Sequence, residues 1–145
     1  MELSAEIKRE MFWMMLLARR VDERAWVLHR QGKIAFHILG IGQEAAQVGA
    51  AFALRRGYDW IAPYYRDLAL MLSLGYTTRD FMLSAMGKKD EPNSGGRQMP
   101  SHWGFKKANV ISHSAPVATQ CVHAAGVGLA IKMKQEDKVV FTTLG

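Results

Sequence analysis

The chain has 145 residues, of which 49% are apolar and 22% charged, with a formal net charge of +6. That is enough chain for one modest domain with a genuine core, and so high an apolar fraction with ordinary charge content excludes a disordered chain. The basic residues are scattered among acids and form no stripe, so the positive excess suits a phosphorylated small molecule or an acidic partner and argues against nucleic acid.

No apolar run reaches membrane-spanning length. Met11 to Ala18 is bracketed by Lys8, Arg9 and Glu10 on one side and by Arg19, Arg20 and Asp22 on the other, so no membrane role is expected. Glu2 and Glu6 stand where a basic leader would be, which points to a cytoplasmic protein. Cys121 is the single cysteine; neither a disulfide framework nor a thiolate metal cluster is available, and a small buried apolar role is expected.

The chain opens on an amphipathic pattern that predicts a long helix over Ala5 to Gln31, with Ser4 as N-cap and Gly32 as the stop. Met11, Met14, Met15, Ala18, Val21, Ala25 and Leu28 recur at helical spacing, leaving Arg20, Asp22, Glu23 and Arg24 as a charged face. A second helix is predicted from Gln43 to Arg56, ending at Gly57 and small along Ala46, Gly49, Ala50 and Ala53. Glu44 opens it, where a carboxylate favours the helix dipole. Trp60-Ile61-Ala62 reads as a short extended segment, followed by helices near Asp67 to Leu74 and Thr78 to Met86. Gly87 to Gly96 reads as a mobile surface connector, a candidate for ordering on ligand binding. Pro116 to Met133 is a further helix with small residues for close packing. Val139 to Leu144 reads as a strand, apolar on both faces at its start, which suits an interior parallel strand. Such a strand needs neighbours, and few other strand candidates exist, so the fold is expected to be incomplete over these residues.

Two loops stand out. Pro63-Tyr64-Tyr65-Arg66-Asp67 places an arginine beside an aromatic pair, a combination that can fork onto phosphate oxygens while a ring covers an apolar part of the same ligand. Gly95-Gly96-Arg97-Gln98-Met99-Pro100-Ser101-His102 lets the backbone approach closely and stiffens the approach to His102. The plainer alternative packs both tyrosines in the core and pairs Arg66 with Asp67 or another surface carboxylate. His29, His37, His113 and His123 show no paired helical spacing, and structural roles are expected for them.

These loops, taken with Gly42-Gln43-Glu44-Ala45-Ala46-Gln47-Val48-Gly49, with Ser114-Ala115-Pro116-Val117-Ala118-Thr119-Gln120 and with a final strand running into Gly145, resemble the alpha subunit of the decarboxylating component of a 2-oxoacid dehydrogenase. Branched-chain and bacterial pyruvate-type members are the nearest in appearance. The resemblance runs in order from about Ser4 to Gly145, and four motifs in register are specific where one alone would be weak. It implies an α/β fold, the N-terminal part of a thiamine diphosphate-binding domain over residues 1–145: a helix over 1–33, helices and cofactor or substrate loops over 34–112, and a helix plus core strand over 113–145.

The resemblance also implies residue roles. Tyr65 and Arg66 match the pair that holds the cofactor's diphosphate. Val117 matches the residue that wedges the cofactor into its bent shape, and Ala115 stands where relatives commonly carry a serine touching the cofactor. The lost hydroxyl is expected to cost about 1 kcal/mol of binding. His102 matches an active-site histidine that stabilises intermediates or guides a lipoyl arm, and Phe36 lines the substrate side. Ser114, Pro116, Thr119 and Gln120 match a site for a monovalent cation, potassium, in some relatives. Magnesium is implied with its ligands beyond Gly145, so the chain alone is expected to be inactive. The implied partners are a beta subunit in an alpha2beta2 assembly, a lipoylated acyltransferase and a small 2-oxoacid. Two further readings stay open at this point: a non-catalytic or split subunit that docks on a beta subunit, and an acetoin dehydrogenase alpha subunit.

Overall fold

The computed structural model describes residues 3–144. Helix α1 spans Ala5–Arg30, with the Ser4 hydroxyl accepting from the Ile7 amide at 3.2 Å, and with Glu6 in its first turn and His29 and Arg30 in its last. Both charge placements oppose the helix dipole favourably. Ala18, Val21, Ala25 and Leu28 are buried, and Met11, Met14 and Met15 pack against the same core. Asp22 does not belong to the charged outer face as the spacing suggested. It is buried on the inner face, where its Oδ1 meets His37 Nε2 at 2.6 Å and its Oδ2 accepts from the Gly40 amide at 2.8 Å.

Helix α2, Glu44–Ala53, is shorter than its apolar pattern suggested and buries Gln47, Val48 and Ala51. Part of its small side is left open: Ala46 and Ala50 line a cleft of about 510 Å³ shared with Leu70, Phe141 and Leu144. Glu44 does more than cap a dipole, because it accepts from Arg19 Nε at 2.6 Å and from the Gly42 amide at 2.9 Å. Helices α3, Leu68–Ser73, and α4, Thr78–Ala85, follow; α4 is closed at its start by a Thr77–Asp80 capping box.

Strand β1, Trp60–Ala62, pairs in parallel with β2, Val140–Thr142, in the register Trp60 to Val140. On the other edge of β1 the chain at Asn109 to Ile111 supplies backbone partners, with Ile61 N donating to Asn109 O and Ile111 N to Ile61 O. The strand covered on both edges among the described residues is therefore β1, whereas β2, where the interior strand was expected, is paired with β1 alone. Helix α5, Thr119–Met133, packs across this sheet, and Gly128 lies so near Val140 that a β-carbon there would touch it at 3.4 Å. The helix begins at Thr119 and not Pro116, because Ala118 has φ +72°, a left-handed conformation that a helix cannot include. Cys121, expected to be buried, is only half-buried on α5. No helix among the described residues is long and apolar enough to cross a membrane.

The core is centred on Trp103, Tyr76, Phe81, Leu70 and Met71, all essentially inaccessible, with Tyr76 edge-on to Trp103 at 5.5 Å between ring centres. The segment Gly87 to Gly96 is not a wholly surface connector. It winds around the buried Glu91 carboxylate, which accepts from the amides of Asn93, Ser94 and Gly96 and from the Ser94 hydroxyl.

Candidate functional site

Two loops and one extended segment meet at the end of β1. The Pro63–Asp67 turn is held from below by Gln47, whose amide donates to Arg66 O at 3.0 Å while its oxygen accepts from the Ala69 amide at 2.9 Å. One buried side chain thus fixes the Arg66 backbone and satisfies the open N-terminus of α3. Asp67 turns inward: its carboxylate accepts from Tyr64 N at 2.9 Å and from the Thr143 hydroxyl just past β2. Burial pushes this carboxyl above its ordinary range, against those two hydrogen bonds. Asp67 is consequently not a partner for Arg66.

The turn then accepts two long-range bonds from the later loops. Trp103 Nε1 donates to Tyr64 O at 3.0 Å, and His113 Nδ1 donates to Pro63 O at 2.8 Å. The two later loops are themselves joined by the His113 amide donating to Trp103 O at 2.8 Å. Ser101, at φ +63°, is a left-handed non-glycine residue immediately before His102, a conformation that persists only where surroundings enforce it.

The two tyrosines of the turn divide the alternatives that the sequence left open. Tyr64 is buried and Tyr65 half-buried, with ring centres 3.9 Å apart. Tyr64 donates its hydroxyl proton to the Tyr65 oxygen, so the proton of Tyr65 is free to point elsewhere. Burial first, and then that contact, raise the Tyr64 phenol further above its ordinary range. The Arg66 guanidinium lies over the Tyr65 ring at 5.1 Å, and no carboxylate pairs with it among the described residues.

His102 and His113 complete the cluster. Both are more than nine-tenths buried, with ring centres 5.1 Å apart, and His113 stands 6.0 Å from the Tyr65 ring. Burial pushes the His113 imidazole below its ordinary range, partly offset by its bond to Pro63. The structural role expected for His113 accounts for its Nδ1 alone, since Nε2 is buried without a partner.

The other sequence-predicted residues lie around this cluster. Phe36 is half-buried on the segment that His37, Asp22 and Gly40 clamp to α1. That segment adjoins the Arg66 turn at Gly40, where a β-carbon would fall 2.6 Å from Arg66 O. Ala115, Pro116 and Val117 are exposed in the approach to α5, Val117 at 60%. Ser114 and Thr119 are half-buried, whereas Gln120 is buried. The Gln120 amide donates to Thr143 O at 2.9 Å, and its Oε1 has no partner. The sequence reading missed Gln47, Tyr64 and His113. The first two sit inside quoted motifs, and His113 immediately precedes Ser114, so proximity to those motifs was the available signal.

Residues 13–145 match the family model described as Dehydrogenase E1 component, and the chain belongs to that family. It is 53% identical over 136 residues to the 2-oxoisovalerate dehydrogenase subunit alpha of Bacillus subtilis (strain 168), covering 94% of this chain and 41% of that protein. It is 33% identical over 143 residues to the mitochondrial 2-oxoisovalerate dehydrogenase subunit alpha 1 of Arabidopsis thaliana, covering 99% of this chain and 30% of that protein. The Homo sapiens mitochondrial 2-oxoisovalerate dehydrogenase subunit alpha is 32% identical over 131 residues, covering 90% of this chain and 29% of that protein. The chain thus spans between 29% and 41% of the length of these relatives.

Proposed function

We propose that this chain supplies the diphosphate-holding part of the cofactor site in a thiamine diphosphate-dependent dehydrogenase of branched-chain 2-oxoacids, working with a beta subunit and a lipoylated acyltransferase. The observation that carries this reading is the Arg66 guanidinium, stacked on Tyr65 and unpaired by any carboxylate among the described residues. An unpaired arginine on a rigid turn presents a fork to an anion without first breaking an ion pair.

The donor set fits a diphosphate. Arg66 offers a guanidinium, Tyr65 keeps a hydroxyl proton free, and Asp67, next in the chain, is engaged with Tyr64 N and Thr143. When bound, the cofactor supplies the carbanion and electron sink that decarboxylation of a 2-oxoacid needs. The chain's own residues hold and orient it: Tyr65 and Arg66 at the phosphates, Val117 as a stiff branched wedge beneath it, and Phe36 as an apolar wall on the substrate side. His102, with its Nε2 unpartnered, is placed to accept or return a proton on the acyl-transfer side. Gln120 Oε1 is a buried oxygen in need of a partner and suits a hard monovalent cation, with Ser114, Pro116 and Thr119 as its companions. For magnesium, the described residues carry no group of three or more histidine, cysteine or acidic side chains that could hold an ion.

The test is calorimetric titration of thiamine diphosphate into the purified native assembly and into its Arg66→Gln variant. Binding at least tenfold weaker in the variant is expected, since a charge-assisted hydrogen bond contributes about 1.5–3 kcal/mol. Equal affinity would remove Arg66 from the site and the proposal with it.

A further inference from the structure

We propose that Thr143 is a positioning residue for the diphosphate turn: its hydroxyl holds the Asp67 carboxylate inward and so keeps the Arg66 guanidinium free for an anion. The inference rests on the cofactor reading of Arg66 given above. Thr143 lies one residue past β2 and is half-buried. A hydroxyl has one proton to give. That of Thr143 accepts from the Tyr64 amide at 3.2 Å, which directs its own proton elsewhere, and the proton goes to Asp67 Oδ2.

Asp67 needs that donor. It is buried, where a carboxylate is tolerable only with hydrogen bonds or a cation. Among the described residues its side chain has two donors, the Tyr64 amide at 2.9 Å and the Thr143 hydroxyl. Burial raises the carboxyl, and of the two bonds that oppose burial the Thr143 hydroxyl contributes more than the amide. No cation helps, since no ion pair among the described residues includes Asp67. Without the hydroxyl, one amide is left for a buried negative charge. The cation next to it in the chain is Arg66, so an ion pair with Arg66 is the bond that replaces the lost one. An incoming anion would then have to break that pair to bind.

The hydroxyl is set in place by the sheet and by α5, not only by the turn it serves. Thr142 pairs with Ala62 in the parallel ladder, and the buried Gln120 donates to Thr143 O at 2.9 Å. A residue fixed from two other elements is a firm support for a binding group. The neighbouring Thr142 hydroxyl, by contrast, donates to Ala62 O at 2.8 Å and makes no bond to Asp67. The two adjacent threonines thus divide their hydroxyls, one to the sheet and one to the turn, and Thr142 is a matched control.

The experiment is calorimetric titration of thiamine diphosphate into the cofactor-free native assembly and its variants. Thr143→Val keeps the shape and removes the hydroxyl; binding at least about fivefold weaker is expected, with Thr143→Ser and Thr142→Val within about twofold of wild type. In an Asp67→Asn background the Thr143→Val loss should shrink to within about twofold, because a neutral amide does not draw Arg66 into an ion pair. A merely structural role would cost as much in either background. Carbon-13 titration of the Asp67 carboxyl gives a readout without cofactor. Arg66→Gln should move its midpoint by less than about 0.3 pH unit when Thr143 is present and raise it by about one unit in Thr143→Val, where Arg66 has become the partner. If Thr143→Val does not fold, the first of these titrations decides, and a rise of about one unit on Arg66→Gln alone overturns the proposal. Thr143→Val binding as wild type while Arg66→Gln binds weakly, or a loss that serine does not restore, overturns it and leaves the cofactor reading standing. Arg66→Gln binding as wild type removes both.

Discussion

Glu91→Gln tests whether the buried carboxylate organises the connector and, through it, the approach to His102. Oε1 accepts from Ser94 N at 2.6 Å, Ser94 Oγ at 2.7 Å and Gly96 N at 2.9 Å, while Oε2 accepts from Asn93 N at 2.8 Å. Glutamine has nearly the same shape but only one acceptor oxygen. Its best orientation keeps the three bonds at Oε1 and turns an NH2 against the Asn93 amide, so one bond is lost and the other three lose their ionic partner. A hydrogen bond to a charged group contributes about 1.5–3 kcal/mol and a neutral one about 0.5–1.5, so a net loss of about 2–4 kcal/mol is expected. Burial acts to raise the Glu91 carboxyl, but the hydrogen bonds from Gly96, Ser94 and Asn93 outweigh it and hold the group below its ordinary range. A carboxyl lowered on folding stabilises the fold above its unfolded value, about 4.3, and that contribution disappears as pH falls through the folded value. The gap between wild type and variant should accordingly be full at neutral pH and close in acid. Denaturant unfolding across pH measures the gap, and amide exchange at Asn93, Ser94 and Gly96 at neutral pH localises it. A gap below about 0.5 kcal/mol, within the range of an ordinary surface substitution, or one that persists unchanged in acid, would refute the assignment.

Trp103→Phe removes the indole donor to Tyr64 O and leaves that carbonyl with the Asp67 amide as its remaining partner, at 3.0 Å. A stability loss of about 0.5–1.5 kcal/mol is expected by thermal unfolding, together with weaker thiamine diphosphate binding as the turn relaxes. Gly40→Ala would set a β-carbon 2.6 Å from Arg66 O, closer than real side chains approach. It should displace the turn and weaken diphosphate binding in a pyrophosphate competition assay, whereas Gly49→Ala, whose β-carbon meets nothing within 4 Å, should not. Ala115→Ser adds a hydroxyl at an exposed position. If that residue faces the cofactor, calorimetry should show binding tighter by about fivefold, equivalent to roughly 1 kcal/mol.

Much of the architecture was legible because it rests on local signals. The period of α1, the Ser4 cap, the apolar run of β2 and the arginine beside two tyrosines are all properties of neighbouring residues. What escaped depends on contacts between distant parts of the chain. Asp22 reads as one more charge on a solvated helix face until His37 and the Gly40 amide supply partners that make burial tolerable. Gly87 to Gly96 reads as a mobile linker because its glycines, lysines and proline are loop formers. Nothing in that composition shows that one of its acids folds inward and collects four donors. The start of α5 was misplaced for a different reason: proline favours a helix's first turn, and only the backbone at Ala118 shows that the chain turns left-handed before the helix begins.

The same distinction explains why His113 was passed over while His102 was selected. Both are single histidines in loops, and no spacing rule links them, because their relation is made by the Pro63–Tyr64 carbonyls. Those two oxygens receive the Trp103 indole and the His113 ring from separate loops. Once Pro63 and Tyr64 leave β1 in their observed course, the positions of Trp103, His113 and hence His102 follow from hydrogen bonds that must be satisfied in a dry interior. The turn that offers Arg66 to an anion is also the template for the two-histidine cluster. A change that moves the turn is therefore expected to alter anion affinity and the imidazole pair together. A substitution confined to the His102 ring should leave the Arg66 turn in place, because the bonds involving Gln47, Asp67, Trp103 and His113 that hold it do not pass through that ring.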